Sequence, residues 1–170
     1  MNSGQMLTSI AAMILLSTVI LNVNRNSLTT TVKMDETKYE ILAVSLGTAI
    51  IEEAFSKSFD EETADNNLID NLSDLSSTLG PEGGEHTRLE FDDFDDFNNY
   101  SGNTNSDPTF ASANMYFRCK VHYVDPSVSL DSVSSKTWHK RITVYVSSPF
   151  IEDSTKNIVL SKINSHYYFR

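Results

Sequence analysis

An apolar run near the start of the chain constrains its fold more than any other feature. Residues 6–23 read MLTSIAAMILLSTVILNV, and the first charged side chain after them is Arg25. An α-helix rises about 1.5 Å per residue, so a run of this length approaches the roughly 20 residues that cross the core of a bilayer. The sequence therefore predicts a helix that is removed from water.

Three interpretations of this run are open. A cleaved secretory signal fits poorly, because such signals begin with basic residues and none precedes residue 6. A plain single-pass anchor fits the length, although Arg25 and Lys33 would then hold the rest of the chain in the cytoplasm. The third is a helix that serves first as a membrane anchor and later as a packing element. Small hydroxylated residues suit such packing in lipid, and the run contains Thr8, Ser9, Ser17 and Thr18.

The helical pattern continues beyond the apolar run. Apolar residues recur at spacings near three, four and seven as far as Phe55, and the first proline is Pro81. We expect one helix over residues 5–57, apolar all round in its first half and amphipathic in its second. Asparagines and threonines within residues 22–31 are weak helix formers, so a bend or local melting is expected there. Gly47 is either merely tolerated or allows a sheet to approach closely.

The last third of the chain shows the period-two pattern of β-strands. We expect strands at residues 113–124, 140–147, 158–163 and 167–169, with polar loops between them. The pattern predicts an α+β fold in which the amphipathic half of a long N-terminal helix packs on a C-terminal antiparallel sheet. Residues 1–25 are predicted to be the hydrophobic helix, which serves as membrane anchor or filament core. Residues 26–170 are predicted to be the globular head.

The middle of the chain is strongly acidic. Residues 58–110 contain 14 acidic side chains and one basic side chain, within a chain of net charge −10. Nucleic acid is therefore not expected as a partner, since phosphate binding requires clustered Lys and Arg. We expect a short helix at residues 68–79, a strand at residues 87–91 and a loop at residues 101–107.

The segment DDFDDFNNY at residues 92–100 is the one candidate binding motif. Carboxylate oxygens are ligands for calcium, and the segment offers those of Asp92, Asp93, Asp95 and Asp96. Phe94 and Phe97 stand where an EF-hand loop would need ligands. The other interpretation is that the aromatic residues hold a turn-rich loop on the sheet while the carboxylates face water.

No catalytic motif accompanies this segment. The four histidines are scattered, and the sequence contains no phosphate-binding glycine loop and no nucleophile elbow. Cys119, the single cysteine, lies in an apolar alternation and is expected to be buried. We therefore expect no enzyme, and no cofactor apart from the calcium considered above.

Four segments together resemble type IV pilins and pseudopilins. Residues 4–9 (GQMLTS) are similar to a prepilin processing site, and residues 39–62 to the end of the pilin helix. Residues 92–100 and 140–146 (KRITVYV) are similar to an acidic-aromatic segment and a sheet strand of the minor pilins of the mannose-sensitive haemagglutinin group.

The resemblance implies a structural subunit of a pilus-like filament or a secretion pseudopilus. A prepilin peptidase would cut between Gly4 and Gln5, and the new N-terminus would be methylated. The subunit would sit in the inner membrane until the assembly machinery polymerises it, with itself or with other pilins, into an extracellular filament or a periplasmic pseudopilus. The filament-core residues would be Met6, Leu7, Ile10, Met13, Ile14, Leu15, Val19 and Ile20.

The chain departs from the family at one position. Pilins carry a glutamate at the fifth mature residue, which here is Ser9 after cleavage behind Gly4, or Gln5 if Met1 is the mature start. Such a subunit would cap a filament, keep an unprocessed end, or neutralise its amine through hydrogen bonds. The alternative function is a monomeric, membrane-anchored binding module whose acidic loop captures calcium or a partner. Polymerisation distinguishes the two.

Overall fold

The structure is a computed structural model that describes residues 2–64, 69–106, 113–151 and 157–166. It confirms the α+β fold, with a long N-terminal helix packed on a C-terminal antiparallel sheet. The helices are α1 (Ser3–Phe55), the short α2 (Glu61–Ala64) and two 3₁₀ turns, Leu72–Asp74 and Asp95–Phe97. The strands are β1 (Ser101–Asn103), β2 (Tyr116–Asp125), β3 (Ser129–Ser132), β4 (His139–Ser147) and β5 (Ile158–Ser165).

The chain divides into two compact units, Met1–Lys38 and Tyr39–Arg170. The first unit holds the beginning of α1, in which residues 2–35 are exposed throughout. The sequence predicted a bend or local melting at residues 22–31; these residues are helical without a break, so the local melting does not occur. The hydroxyl groups of Thr29, Thr30 and Thr31 donate to backbone carbonyls one turn earlier at 2.9 to 3.1 Å; such bonds weaken a helix slightly but do not interrupt it here.

The second unit is built on the antiparallel sheet, whose strand order is β1-β2-β4-β5. β3 pairs with the end of β2. In the central pair, Cys119 lies opposite Val144 and Val121 lies opposite Ile142, so the apolar residues of both strands share one face. Met115, Phe117, Cys119, Val121 and Tyr123 are all buried, as the alternation predicted.

The amphipathic half of α1 covers that face. Its buried residues Ala43, Leu46, Ile50, Ile51 and Ala54 belong to the same core cluster as the apolar residues of β2 and β4. The approach is close at Gly47, where an added Cβ would lie 2.7 Å from Leu160 Cδ1. Gly47 therefore allows the sheet to approach closely, which was one of the two roles predicted for it.

Four further local predictions were wrong. The polar loop expected between the strands at residues 113–124 and 140–147 contains the short strand β3, which pairs with the end of β2. Within residues 69–79 the structure contains a single 3₁₀ turn, because Ile69 and Leu75 pack beside Phe59 in a satellite cluster instead of along one helix face. Residues 87–90 of the strand predicted at 87–91 form a turn instead, since the Glu90 carboxylate accepts hydrogen bonds from the backbone N–H groups of His86 and Thr87, both at 2.8 Å. The expected loop at residues 101–107 begins with β1. The strand predicted at residues 167–169 lies outside the described residues.

Candidate functional site

The acidic-aromatic segment is fixed in the core by its aromatic rings. Phe91, Phe94 and Phe97 are buried, and Phe94 meets Phe55 of α1 edge to face at 5.4 Å. The backbone of the segment pairs with Ser58, just after α1, which accepts a hydrogen bond from the Phe94 N–H at 2.9 Å. The aromatic residues therefore hold this segment in place, as one of the two interpretations predicted.

The carboxylates of this segment do not all face water, which corrects that interpretation. Asp92 is exposed, but Asp93, Asp95 and Asp96 are completely buried. Two of them satisfy backbone donors of their own turn: Asp93 Oδ1 accepts from the Asp95 and Asp96 N–H groups at 2.7 and 3.1 Å, and Asp96 Oδ2 accepts from those of Asp92 and Asp93 at 3.0 and 2.9 Å. Local hydrogen bonding thus offsets part of the cost of burying these two carboxyl groups.

Asp95 pairs instead with a buried lysine. Lys140 Nζ donates to the Asp95 carboxylate, to Asp60 Oδ2 at 2.6 Å and to the Phe59 carbonyl at 2.9 Å. The rings of Phe59 and Tyr123 lie 4.8 and 5.6 Å from the same nitrogen. All three charged side chains are inaccessible to solvent. Because Lys140 belongs to β4 and Asp95 to the acidic-aromatic segment, their ion pair joins this segment to the sheet.

Lys140 and Asp60 were not predicted to belong to this site. A signal for Lys140 was present, because it lies in phase with Ile142, Val144 and Val146 on the buried face of β4. No local pattern marks Asp60, whose carboxylate also accepts from the backbone N–H of Ser76 at 3.0 and 3.1 Å.

Burial changes the protonation of these aspartates. It raises the pKa of Asp93 to about 9, with the Asp95 charge as the next cause, so Asp93 retains its proton at neutral pH. Burial also raises the pKa of Asp95, although Lys140 opposes this shift. Asp93 Oδ2 has no hydrogen-bond partner within the described residues.

Asp96 belongs to a second carboxylate group. Its carboxylate and those of Glu82 and Glu85 place one oxygen each within 4.8 Å of one another. Burial, and after it the charge of Asp96, raises the pKa of Glu82 to about 7. Burial raises the pKa of Glu85 as well. The four aspartates predicted to bind calcium therefore lie in different environments: Asp92 in solvent, Asp93 on backbone amides, Asp95 on Lys140 and Asp96 beside two glutamates.

The residues predicted for processing and for a filament core all lie on exposed helix. Gly4 and Gln5 are in the first turns of α1. The eight predicted core residues Met6, Leu7, Ile10, Met13, Ile14, Leu15, Val19 and Ile20 are between 51% and 73% exposed. By length and composition, α1 is the one helix in the described parts of the chain that could cross a membrane.

Two features of the described residues thus have no contact partner among those residues. One is the apolar surface at the start of α1, and the other is the set of carboxylate oxygens without hydrogen-bond donors around Asp96. Comparisons with protein-family models, with curated proteins and with solved structures give no match.

Proposed function

We propose that the protein is a structural subunit of a type IV pilus-like filament or a secretion pseudopilus, assembled through its N-terminal apolar helix. The observation that supports this is the exposure of residues 6–23, of which none is buried. Apolar surface in contact with water costs about 25 cal/mol per Å². Lipid or neighbouring helices must therefore cover this segment in the working protein.

The distribution of apolar residues favours a segment that is surrounded on all sides. Large exposed hydrophobic side chains follow one another at Met13, Ile14, Leu15 and Leu16, which lie all around the helix axis. A helix that is apolar all round suits lipid or the centre of a helical bundle, whereas a surface helix has one apolar stripe. The same surface can thus contact lipid before assembly and equivalent helices after it.

Processing would follow the resemblance to pilins. The proposal includes cleavage after Gly4 by a prepilin peptidase, methylation of Gln5, and residence in the inner membrane before assembly into an extracellular filament or periplasmic pseudopilus. The fifth residue would then be Ser9, whose hydroxyl group donates to the Gln5 carbonyl at 2.9 Å. Because this position has no carboxylate for the amine of a neighbour, the subunit suits the end of a filament.

Substitution in the apolar segment tests assembly. Exchanging a central apolar residue for aspartate costs about 3 to 4 kcal/mol in a membrane-embedded helix. We expect Ile14→Asp to abolish sheared filaments seen by electron microscopy. Leu89→Asp, at an 83% exposed position outside α1, is the control and should leave them intact.

Intact-mass measurement of the sheared fraction tests processing. We expect the mass of a chain that lacks residues 1–4 and carries one added methyl group. A full-length chain confined to membranes, with no filaments, would refute the proposal and favour the monomeric anchored module. Filaments that persist in Ile14→Asp would refute assembly through this helix.

A further inference from the structure

Three carboxylates from two separate segments converge on one point of the head. Glu82 and Glu85 come from the loop after Gly80, and Asp96 comes from the 3₁₀ turn that the aromatic residues hold in the core. We propose that Glu82, Glu85 and Asp96 bind a calcium ion. This site is independent of the proposed filament assembly, and only Asp96 belongs to the set that the sequence pointed to.

The ligand atoms are close enough for one cation to contact all three. Calcium binds oxygen at roughly 2.3 to 2.6 Å, so two oxygens on opposite sides of one ion are about 4.6 to 5.2 Å apart, and neighbouring oxygens are closer. One oxygen from each of the three side chains lies within 4.8 Å of the others, which is inside this limit. Magnesium binds at about 2.0 to 2.1 Å and requires near-ideal octahedral geometry, which makes calcium the better match for a site with flexible glutamates.

The buried oxygen of Asp96 is the second observation. Asp96 is completely buried, and two backbone amides hold its Oδ2 in place. While Glu85 is ionised, Asp96 Oδ1 and the buried Oε2 of Glu82 have no hydrogen-bond donor among the described residues; a protonated Glu85 would donate to the Asp96 carboxylate. Buried carboxylate oxygens are nearly always paired, because an unpaired one loses its hydration without compensation. A cation bound at this point would supply the missing interaction for both oxygens.

The charge of the group is the third observation. Three carboxylates whose oxygens lie this close repel one another when all are ionised. A divalent cation reverses that repulsion and joins the loop that carries Glu82 and Glu85 to the buried segment that carries Asp96.

Calorimetric titration of the full-length protein in detergent micelles tests the site. The protein is stripped with EDTA, dialysed at pH 8, where Glu82 is ionised, and titrated with calcium chloride or magnesium chloride. We expect one calcium per chain and weaker magnesium binding. Glu85→Gln and Asp96→Asn each remove a direct ligand charge and should weaken calcium binding by about tenfold or more, since even partners that only orient a ligand are worth about 10- to 100-fold.

Asp92→Asn is the matched control. It removes the same charge from the same segment, but Asp92 is exposed and lies outside the three-carboxylate group. We expect its calcium affinity to stay within about threefold of the wild type, because an exposed charge interacts weakly through water. Near-UV circular dichroism verifies that each variant is folded. If Asp96→Asn does not fold, Glu85→Gln still tests the site, because it leaves the buried segment unchanged.

Two results would overturn the proposal. One is the absence of heat when millimolar calcium is added to the stripped wild-type protein. The other is an equal loss of affinity in Asp92→Asn and Glu85→Gln, which would indicate diffuse attraction to an acidic surface. Neither result depends on whether filaments form, so the calcium site and the proposed filament assembly can be refuted independently of each other.

Discussion

Replacing Lys140 by methionine should be among the most destabilising single changes in the head. The lysine is completely buried and its Nζ donates to Asp60, Asp95 and the Phe59 carbonyl. Methionine fills a similar volume, so packing changes little and the main effect is the loss of the positive charge. Two buried carboxylates then remain without their cation, and removal of one partner of a buried ion pair typically costs about 3 to 5 kcal/mol.

Proton uptake sets an upper limit on the electrostatic part of this cost. The variant can protonate Asp95, which restores the original net charge of the cluster. For an aspartate whose ordinary pKa is 3.8, this costs about 4 kcal/mol at pH 7 and about 1.6 kcal/mol at pH 5, since each pH unit is worth about 1.36 kcal/mol. We therefore expect Lys140→Met to lower the free energy of unfolding by about 3 to 4 kcal/mol at pH 7, and by less than half of that at pH 5.

Urea unfolding of the full-length protein in detergent micelles, followed by near-UV circular dichroism, measures this difference. Lys162→Met is the matched control. Lys162 pairs with Glu52 at 2.8 Å, but their side chains are 45% and 61% exposed, so the control should cost less than about 1 kcal/mol. If Lys140→Met is no more destabilising than Lys162→Met, or if its effect is the same at both pH values, the buried charges do not behave as described. The double variant Lys140→Met/Asp95→Asn should recover part of the lost stability.

Two further predictions concern Asp93 and Gly47. The native protein keeps the Asp93 proton up to about pH 9, whereas the unfolded chain releases it near pH 3.8; because the native state binds more protons between these values, this group lowers stability as pH rises through them. We therefore expect the stability difference between Asp93→Asn and the wild type, measured by urea unfolding in EDTA, to shift in favour of the variant from pH 5 to pH 8.5. The same difference at both pH values would contradict the assigned protonation of Asp93. Gly47→Val should lower the free energy of unfolding by about 1 to 3 kcal/mol, because its side chain must displace Leu160; an unchanged urea midpoint would show that the interface yields.

The predictable parts of the fold are those in which burial follows a local period. The alternation over β2 and β4 placed Phe117, Cys119, Ile142 and Val144 on one face, and the structure buries all four. The helical period similarly indicated α1. Predictions failed where a few polar contacts decide the backbone, as at residues 87–91, where one glutamate carboxylate closes a turn.

The apolar run, the long helix and the antiparallel sheet were thus determined by the sequence alone, because periodicity records which side of each element avoids water. Only the tertiary structure decided which carboxylates of the acidic segment are buried and which residues surround them. Asp95 is buried because Lys140 arrives from a strand 45 residues away, and Asp96 meets two glutamates from another loop. The protonation and binding capacity of a carboxylate depend on its neighbours in space, and no spacing along the chain specifies those neighbours.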